Sequence, residues 1–264
     1  MTTWLGPFGN LREFKCPPPH PVAMNRGSAV LVTLGGMAKI QRAPRGSRSL
    51  TWTFEADVPA DLRELIALEL GVHGAGPFWW YDPLSAGLQM LPVAVASPGL
   101  GGDELFGTSG TATLDYATVA PFSLGVTGSG EAESPVVPVF VGRAYVAAAQ
   151  VSADARLRLR WVDSAGATLS TTDGATGTTR RTVTGTAPAS SAGVKVVLDP
   201  TSSVAEVEFS QLQLTEGSSA ITWEPGPGMA RWSIVGGLEQ VYQLADSAAA
   251  DYRRDLAVSL IEAD

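Results

Sequence analysis

Residues 48–54 read Arg-Ser-Leu-Thr-Trp-Thr-Phe, with Leu50, Trp52 and Phe54 at every second position and Thr51, Thr53 and Glu55 alternating with them. Side chains of an extended chain point alternately to opposite faces, so this run predicts a strand with one buried face. Upstream, residues 28–34 alternate with Val30, Val32 and Leu34 on one side. Gly35-Gly36 then supplies a two-residue turn before residues 38–41, which predicts a β-hairpin. Downstream the period changes. After Asp57-Val58-Pro59, the residues Leu62, Leu65, Ile66 and Leu70 follow a helical stripe, with Pro59 at its first turn and Gly71 as its stop. One short helix is therefore expected to pack on the sheet.

Residues 76–83 read Gly-Pro-Phe-Trp-Trp-Tyr-Asp-Pro. Four adjacent aromatic rings need cover. Stacking on sugars or bases is one use for them, and burial against the helix or a neighbouring subunit is the use that removes more area from water. An apolar stretch, 88–95, follows. Residues 100–113 are rich in Gly, Thr and Ser and read as a linker. Beyond them the residues 137–150, 156–162, 194–198, 204–209 and 211–214 are short strand candidates separated by clusters of Gly, Ser, Asp and Pro, a spacing that predicts a β-sandwich. Residues 231–235 and 256–260 look like strands returning to the first sheet. The organisation expected is thus one domain from 1–98 and 229–264, a linker at 99–114, and an inserted module at 115–228.

Composition agrees with a β-rich chain of two domains. The 264 residues are 45% hydrophobic and only 17% charged, and the 29 Gly and 18 Pro punctuate short apolar stretches without a collagen-like period. The net charge of -8 argues against a phosphate-backbone surface and hence against direct nucleic-acid recognition. The charge is segregated. Arg12, Lys15, Arg26, Lys39, Arg42, Arg45 and Arg48 face only Glu13 in the first fifty residues, whereas the end of the chain is acidic. Pairing between subunits and a solvated basic loop both account for this. Arg42, Arg45, Arg48, Phe78, Trp79 and Trp80 are the inter-subunit candidates.

The search for chemistry finds little. The single Cys16 cannot form an internal disulfide, and the only histidines, His20 and His73, lie in a proline run and a predicted turn. Nucleophile-elbow, phosphate-loop, zinc-helix and dinucleotide motifs are missing, so no enzyme, cofactor or metal site is expected. An apolar stretch long enough to insert in a membrane is missing too. In 156–161, Arg156, Arg158 and Arg160 alternate with Leu157, Leu159 and Trp161. One face carries three guanidinium groups, which would meet an anionic glycan or form a solvated outer face. Trp161 reads as inward-facing, with a sugar platform as the alternative, and Trp223 is the second aromatic ligand candidate.

The stretches 48–54 and 76–83, with the helix between them and the terminal Ala-Val-Ser-Leu-Ile-Glu at 257–262, resemble minor tail proteins of actinobacterial phages. The plan is similar to the distal tail proteins of long-tailed phages, in which a tube-like β-barrel forms a ring under the tail tube and an additional β-sandwich projects outward. Phe209-Ser-Gln-Leu-Gln-Leu-Thr-Glu-Gly, followed by Ile221-Thr-Trp-Glu-Pro-Gly, resembles the closing strands of carbohydrate-binding jelly rolls. The resemblance implies a mainly β fold, a tail-tube-like barrel or sandwich with one short helix plus an inserted jelly roll. It also implies a virion tail protein, made in the bacterial host cytoplasm and assembled as a hexameric or trimeric ring against tube and tip proteins. The alternative it carries is an adhesin that grips a host cell-wall glycan through the inserted module.

Overall fold

The computed structural model describes residues 2–15, 22–25, 28–32, 38–42, 47–54, 59–98, 105–116, 119, 122–201, 206–224, 228–242 and 254–263. The chain forms two compact units. One comprises Met1–Pro7, Arg12–Trp80 and Ala230–Asp264, the other Phe8–Leu11 and Tyr81–Met229. Arg45, the Gly35-Gly36 turn, Cys16, the proline run and the Pro-Gly stretch at 225–227 lie outside the described residues.

The first unit is built on a seven-stranded sheet. Its strands are β1 (Thr3–Gly6), β2 (Arg12–Phe14), β3 (Val22–Asn25), β6 (Ser47–Phe54), β7 (Phe78–Tyr81), β19 (Arg231–Tyr242) and β20 (Arg254–Ala263), in the order β2-β1-β7-β19-β20-β6-β3. β4 (Ser28–Val32) and β5 (Ala38–Arg42) form a separate antiparallel hairpin. The predicted strand at 48–54 is β6. It pairs with β20 so that Leu50 faces Leu260 and Trp52 faces Val258. Those four side chains are buried, together with Leu5, Phe14, Phe78, Trp80 and Trp232. Trp80 meets Trp52 and Trp232 edge to face, with ring centroids 6.0 and 5.2 Å apart, and its Nε1 donates to Thr3 Oγ1 at 2.6 Å. Apolar aromatic area and a satisfied indole N–H make this cluster the anchor of the unit.

Helix α1 (Pro59–Glu69) covers that core with Leu65 and Leu68. Leu70, expected on the buried stripe, is 74% exposed. The buried face of the helix runs through Leu65 and Leu68, and at about 100° per residue Leu70 falls on nearly the opposite side. Gly71 ends the helix at φ +71°, where its N–H donates to Leu68 O and the Val72 N–H reaches back to Ala67 O at 2.9 Å.

The second unit is a sandwich of two antiparallel sheets. One runs β16 (Arg181–Thr186), β13 (Ala144–Val151), β18 (Val207–Glu216), β10 (Ser123–Thr127), β9 (Thr113–Asp115). The other runs β15 (Thr168–Asp173), β14 (Ala155–Val162), β17 (Gly193–Pro200), β11 (Gly130–Glu133), β8 (Gly107–Gly110), with β12 (Val137–Pro138) also paired to β17. Leu157, Leu159 and Trp161 lie opposite Leu198, Val196 and Val194, and all six are buried between the sheets.

Two expectations change here. Residues 107–110 and 113–114, read as linker, lie in strands of the sandwich. The chain crosses between sheets at 110–112 and returns at 128–129, and these corners pack together. A Cβ on Gly130 would overlap the Ser109 carbonyl oxygen, and Gly110 holds φ +65° against Ser129. Small residues are required there by close backbone approach, not by flexibility. Residues 81–98 also belong to this unit. Helices α2 (Pro83–Leu88), capped by Asp82, and α3 (Val93–Ala96) pack along β18. Beside the β18 residue Gln211, at φ +51°, the ladder with β10 ends, and the Gln89 amide takes over. Its Nε2 donates to Leu212 O at 2.9 Å, and its Oε1 accepts from Leu214 N at 3.0 Å.

Candidate functional site

The outer face of the β14 sheet is open, and its chemistry follows from register. Arg156 lies opposite Asp199, Arg158 opposite Asp173 on one side and Val197 on the other, and Arg160 opposite Lys195. One strand further, Glu133 is level with Val197. Period-two alternation puts all these polar side chains on one face. They form a continuous ion-pair array. Arg156 pairs with Asp199 and lies 3.9 Å from Asp173. Arg158 pairs with Glu131, with Asp173 at 3.1 Å and with Asp199 at 3.1 Å. Arg160 reaches Glu131 at 2.6 Å and also pairs with Glu133, which Lys195 holds at 3.0 Å. Four cations thus meet four carboxylates, Glu131, Glu133, Asp173 and Asp199, so the array carries no net charge.

At the β8 end of this face lies a cleft of about 560 Å³, lined by Glu131, Arg156, Arg158 and Asp199 and flanked by the small residues Ser109 and Ser129. Guanidinium donors and carboxylate acceptors line one side of it, and backbone with short hydroxyl side chains lines the other.

The structure sorts the sequence candidates. Arg156, Arg158 and Arg160 are brought together on one face, as the alternation predicted, but as members of neutralised pairs rather than free cations. Trp161 is 1% exposed, meets the Tyr145 ring at 6.0 Å and donates its Nε1 to Thr172 Oγ1 at 3.0 Å. It is a core residue beneath the array and offers no sugar platform. Trp223 is half-buried on the other sheet, where its Nε1 donates to Leu212 O at 3.0 Å.

Among the inter-subunit candidates, Phe78 and Trp80 are core residues, Trp79 is half-buried, and Arg42 lies in β5. Arg48 is buried within its own unit. Its Nε and Nη2 donate to the two oxygens of Glu262 at 2.9 and 2.8 Å, and its guanidinium lies 5.6 Å from the Trp232 ring centroid. The basic segment and the acidic end of the chain do meet at this pair, across β6 and β20 of one chain.

A buried polar cluster was not foreseen. Tyr81 OH donates to Glu216, Tyr145 OH accepts from Phe140 N at 2.8 Å, and Arg143 Nη1 reaches both Glu216 oxygens at 3.0 and 3.1 Å. Burial pushes both phenols above their usual range, and hydrogen bonding to Glu216 adds to the effect at Tyr81. At Arg143 burial pulls the pKa down, but the bond and charge of Glu216 outweigh it and raise it.

The acids of the array escaped the sequence reading although a signal existed. Gly130-Glu131-Ala132-Glu133 repeats at period two, as the arginines do, and would have matched them had that segment been read as strand. No group of three or more His, Cys, Asp or Glu side chains suited to a metal occurs among the described residues.

No protein-family model and no curated protein matches the chain. Solved structures similar to it include the enzymatically active domain of tailspike protein 4 of bacteriophage CBA120, at 10% identity and TM-score 0.34 over 44% of this chain and 20% of that chain. The CBM22-1 xylan-binding domain of a Paenibacillus barcinonensis protein is 14% identical, at TM-score 0.35 over 44% of this chain and 87% of that one. The C-terminal family 22 carbohydrate-binding module of a Clostridium thermocellum protein is 14% identical, at TM-score 0.37 over 47% and 94%. Scores this low make none of them a template for the site, and the chemistry has to be argued from the residues of this chain.

Proposed function

We propose that this chain is a non-catalytic binding protein whose sandwich unit holds a carbohydrate in the cleft beside β8, β11, β14 and β17. The carrying observation is the pairing of every arginine on that face with a carboxylate. Sugar hydroxyls donate and accept together, and a rigid face that alternates guanidinium donors with carboxylate acceptors serves both needs. An anionic glycan would have to compete with four carboxylates already in place, so the site suits a neutral glycan. The small flank at Ser109 and Ser129 leaves room for a pyranose to approach the backbone.

Ser109→Trp tests this, because Ser109 lies opposite Glu131 across the β8–β11 ladder and an indole there fills the cleft from the β8 side without removing any charged side chain. Affinity electrophoresis against a panel of neutral cell-wall polysaccharides should show retardation of the wild type and none for the variant, at equal melting temperature. Equal retardation of the two would refute the cleft.

A second reading, a ring-forming virion protein at the distal end of a phage tail tube, is supported by the resemblance of 48–54 and 76–83 and by one structural feature. The seven-stranded sheet is open: its outer strands β2 and β3 have no ladder partner on their far edges among the described residues. Unpaired edges invite pairing with another chain. The two readings coexist if the first unit assembles and the sandwich binds. Antibody labelling of purified virions tests the placement, with label confined to the tail tip as the expected outcome and unlabelled virions as the refuting one.

A further inference from the structure

The sandwich carries another polar constellation, on the outward side of its five-stranded sheet. Arg180 immediately precedes β16, and by period two it shares a face with the exposed Thr182 and Thr184. Thr182 and Gln213 both lie opposite Ala148, which places Gln213 on that face as well. Arg180 Nη2 donates to Gln213 Oε1 at 3.2 Å, and Gln213 Nε2 donates in turn to Thr222 O at 3.2 Å. The next residue is Trp223, tied by its indole N–H to Leu212 O. The guanidinium and the indole are therefore both fastened to one stretch of β18, through Gln213 and Leu212.

The state of Arg180 is unusual in this chain. With 26 acidic and 18 basic residues, a carboxylate partner is easily supplied, and every arginine on the opposite sheet has one. Arg180 forms no ion pair among the described residues. Its neighbour Arg181 also lacks one, but spends its donors on Thr176 O at 2.9 Å, Thr179 O at 3.0 Å and Thr179 Oγ1 at 2.8 Å. Among the described residues Arg180 meets only the Gln213 oxygen, although a guanidinium carries five N–H donors. It is half-buried, and burial alone pulls its pKa below the ordinary value, with no nearby anion offsetting it. A partly desolvated cation with spare donors is costly unless an anion arrives from outside.

We propose that Arg180 and Trp223 form an anion subsite for the carboxylate of an acidic sugar, with the Arg180 fork on the carboxylate and the Trp223 indole against the sugar ring, while Gln213, buried at 1% exposure, positions the guanidinium from beneath. Thr182 and Thr184 supply hydroxyls along the same face, which favours a sugar over an acidic peptide. This rests on the reading of the sandwich as a carbohydrate-binding unit but not on the cleft, since the two sites stand on different sheets.

The test titrates tri-galacturonate into the full chain, with Trp fluorescence and calorimetry as readouts, beside its methyl ester and a tetraglutamate peptide. The acid should bind in low salt and the ester should not. Arg180→Gln should weaken binding of the acid about tenfold or more, the value of one charge-assisted contact, while Ser109→Trp leaves it unchanged. Since Arg180 makes a single bond among the described residues, Arg180→Gln should keep the wild-type melting temperature. Equal binding of acid and ester, equal binding by wild type and Arg180→Gln, or binding of tetraglutamate in place of the sugar would each overturn the subsite. Loss of acid binding on Ser109→Trp would overturn its independence from the cleft.

Discussion

Replacing Glu262 with alanine should destabilise the first unit more than any other single surface-strand change. Arg48 is 8% exposed, and the Glu262 carboxylate receives its Nε, its Nη2 and its backbone N–H at 2.9, 2.8 and 3.0 Å. Removing the carboxylate deletes all three of these bonds at a guanidinium that lies over Trp232. Truncating one partner of a buried pair costs about 3–5 kcal/mol. Here the Glu262 side chain keeps 19% exposure, so water can enter the vacated space and the lower end, about 3 kcal/mol, applies. Melting of the unit should fall by roughly 10 °C. Arg48→Met should cost less, because its apolar stem keeps covering Trp232 and the freed carboxylate is already part-solvated. The double variant should then recover part of the loss, with a coupling of about 2 kcal/mol. Hydrogen exchange of the β6 and β20 amides in a urea series reads this locally. A cost for Glu262→Ala below about 1 kcal/mol, the value of an exposed pair, would refute the argument, as would additive single costs.

Three further outcomes follow from particular contacts. Gln89→Leu removes an amide that serves Leu212 O and Leu214 N in a fully buried site and should cost about 2 kcal/mol in urea denaturation, since Leu214 N loses its acceptor while Leu212 O keeps the Trp223 indole. Gly130→Ala drives a Cβ into the Ser109 carbonyl and should open the 110–112 and 128–129 corners, read as loss of amide protection in β8 and β11. For Tyr81 and Tyr145 the folded pKa lies above the unfolded value near 10, so the folded chain holds protons that the unfolded chain releases. Their contribution is therefore intact below about pH 10 and is lost as pH rises beyond it. Denaturation midpoints should begin to drop at about pH 10 and keep falling as pH rises further, and Tyr81→Phe should shrink that drop.

How much of this was legible in the sequence depends on how far apart the interacting residues lie. The strand at 48–54 and the helix after Pro59 were readable because one-face burial is written locally, as alternation or as a helical stripe. The fate of Leu70 was not, because it depended on whether the helix turns its Leu65–Leu68 face or its Ile66–Leu70 face to the core. The aromatic run 78–81 showed that its rings needed cover but not which core would provide it. Phe78 and Trp80 go to the first unit, and Tyr81 binds Glu216 of the sandwich, 135 residues on.

The arginine row shows the limit most clearly. Its face was readable from Arg156, Arg158 and Arg160 alone, but whether those cations are free depends on Glu131 and Glu133, which lie two strands away across β17 and inside a Gly-rich segment. Sequence alternation reports which way a side chain points, whereas its charge state as a site depends on what the sheet places beside it. That distinction reverses the ranking of the arginines. The conspicuous row is already neutralised, and Arg180, which stands outside any pattern, is a half-buried cation that the fold leaves without an acid among the described residues.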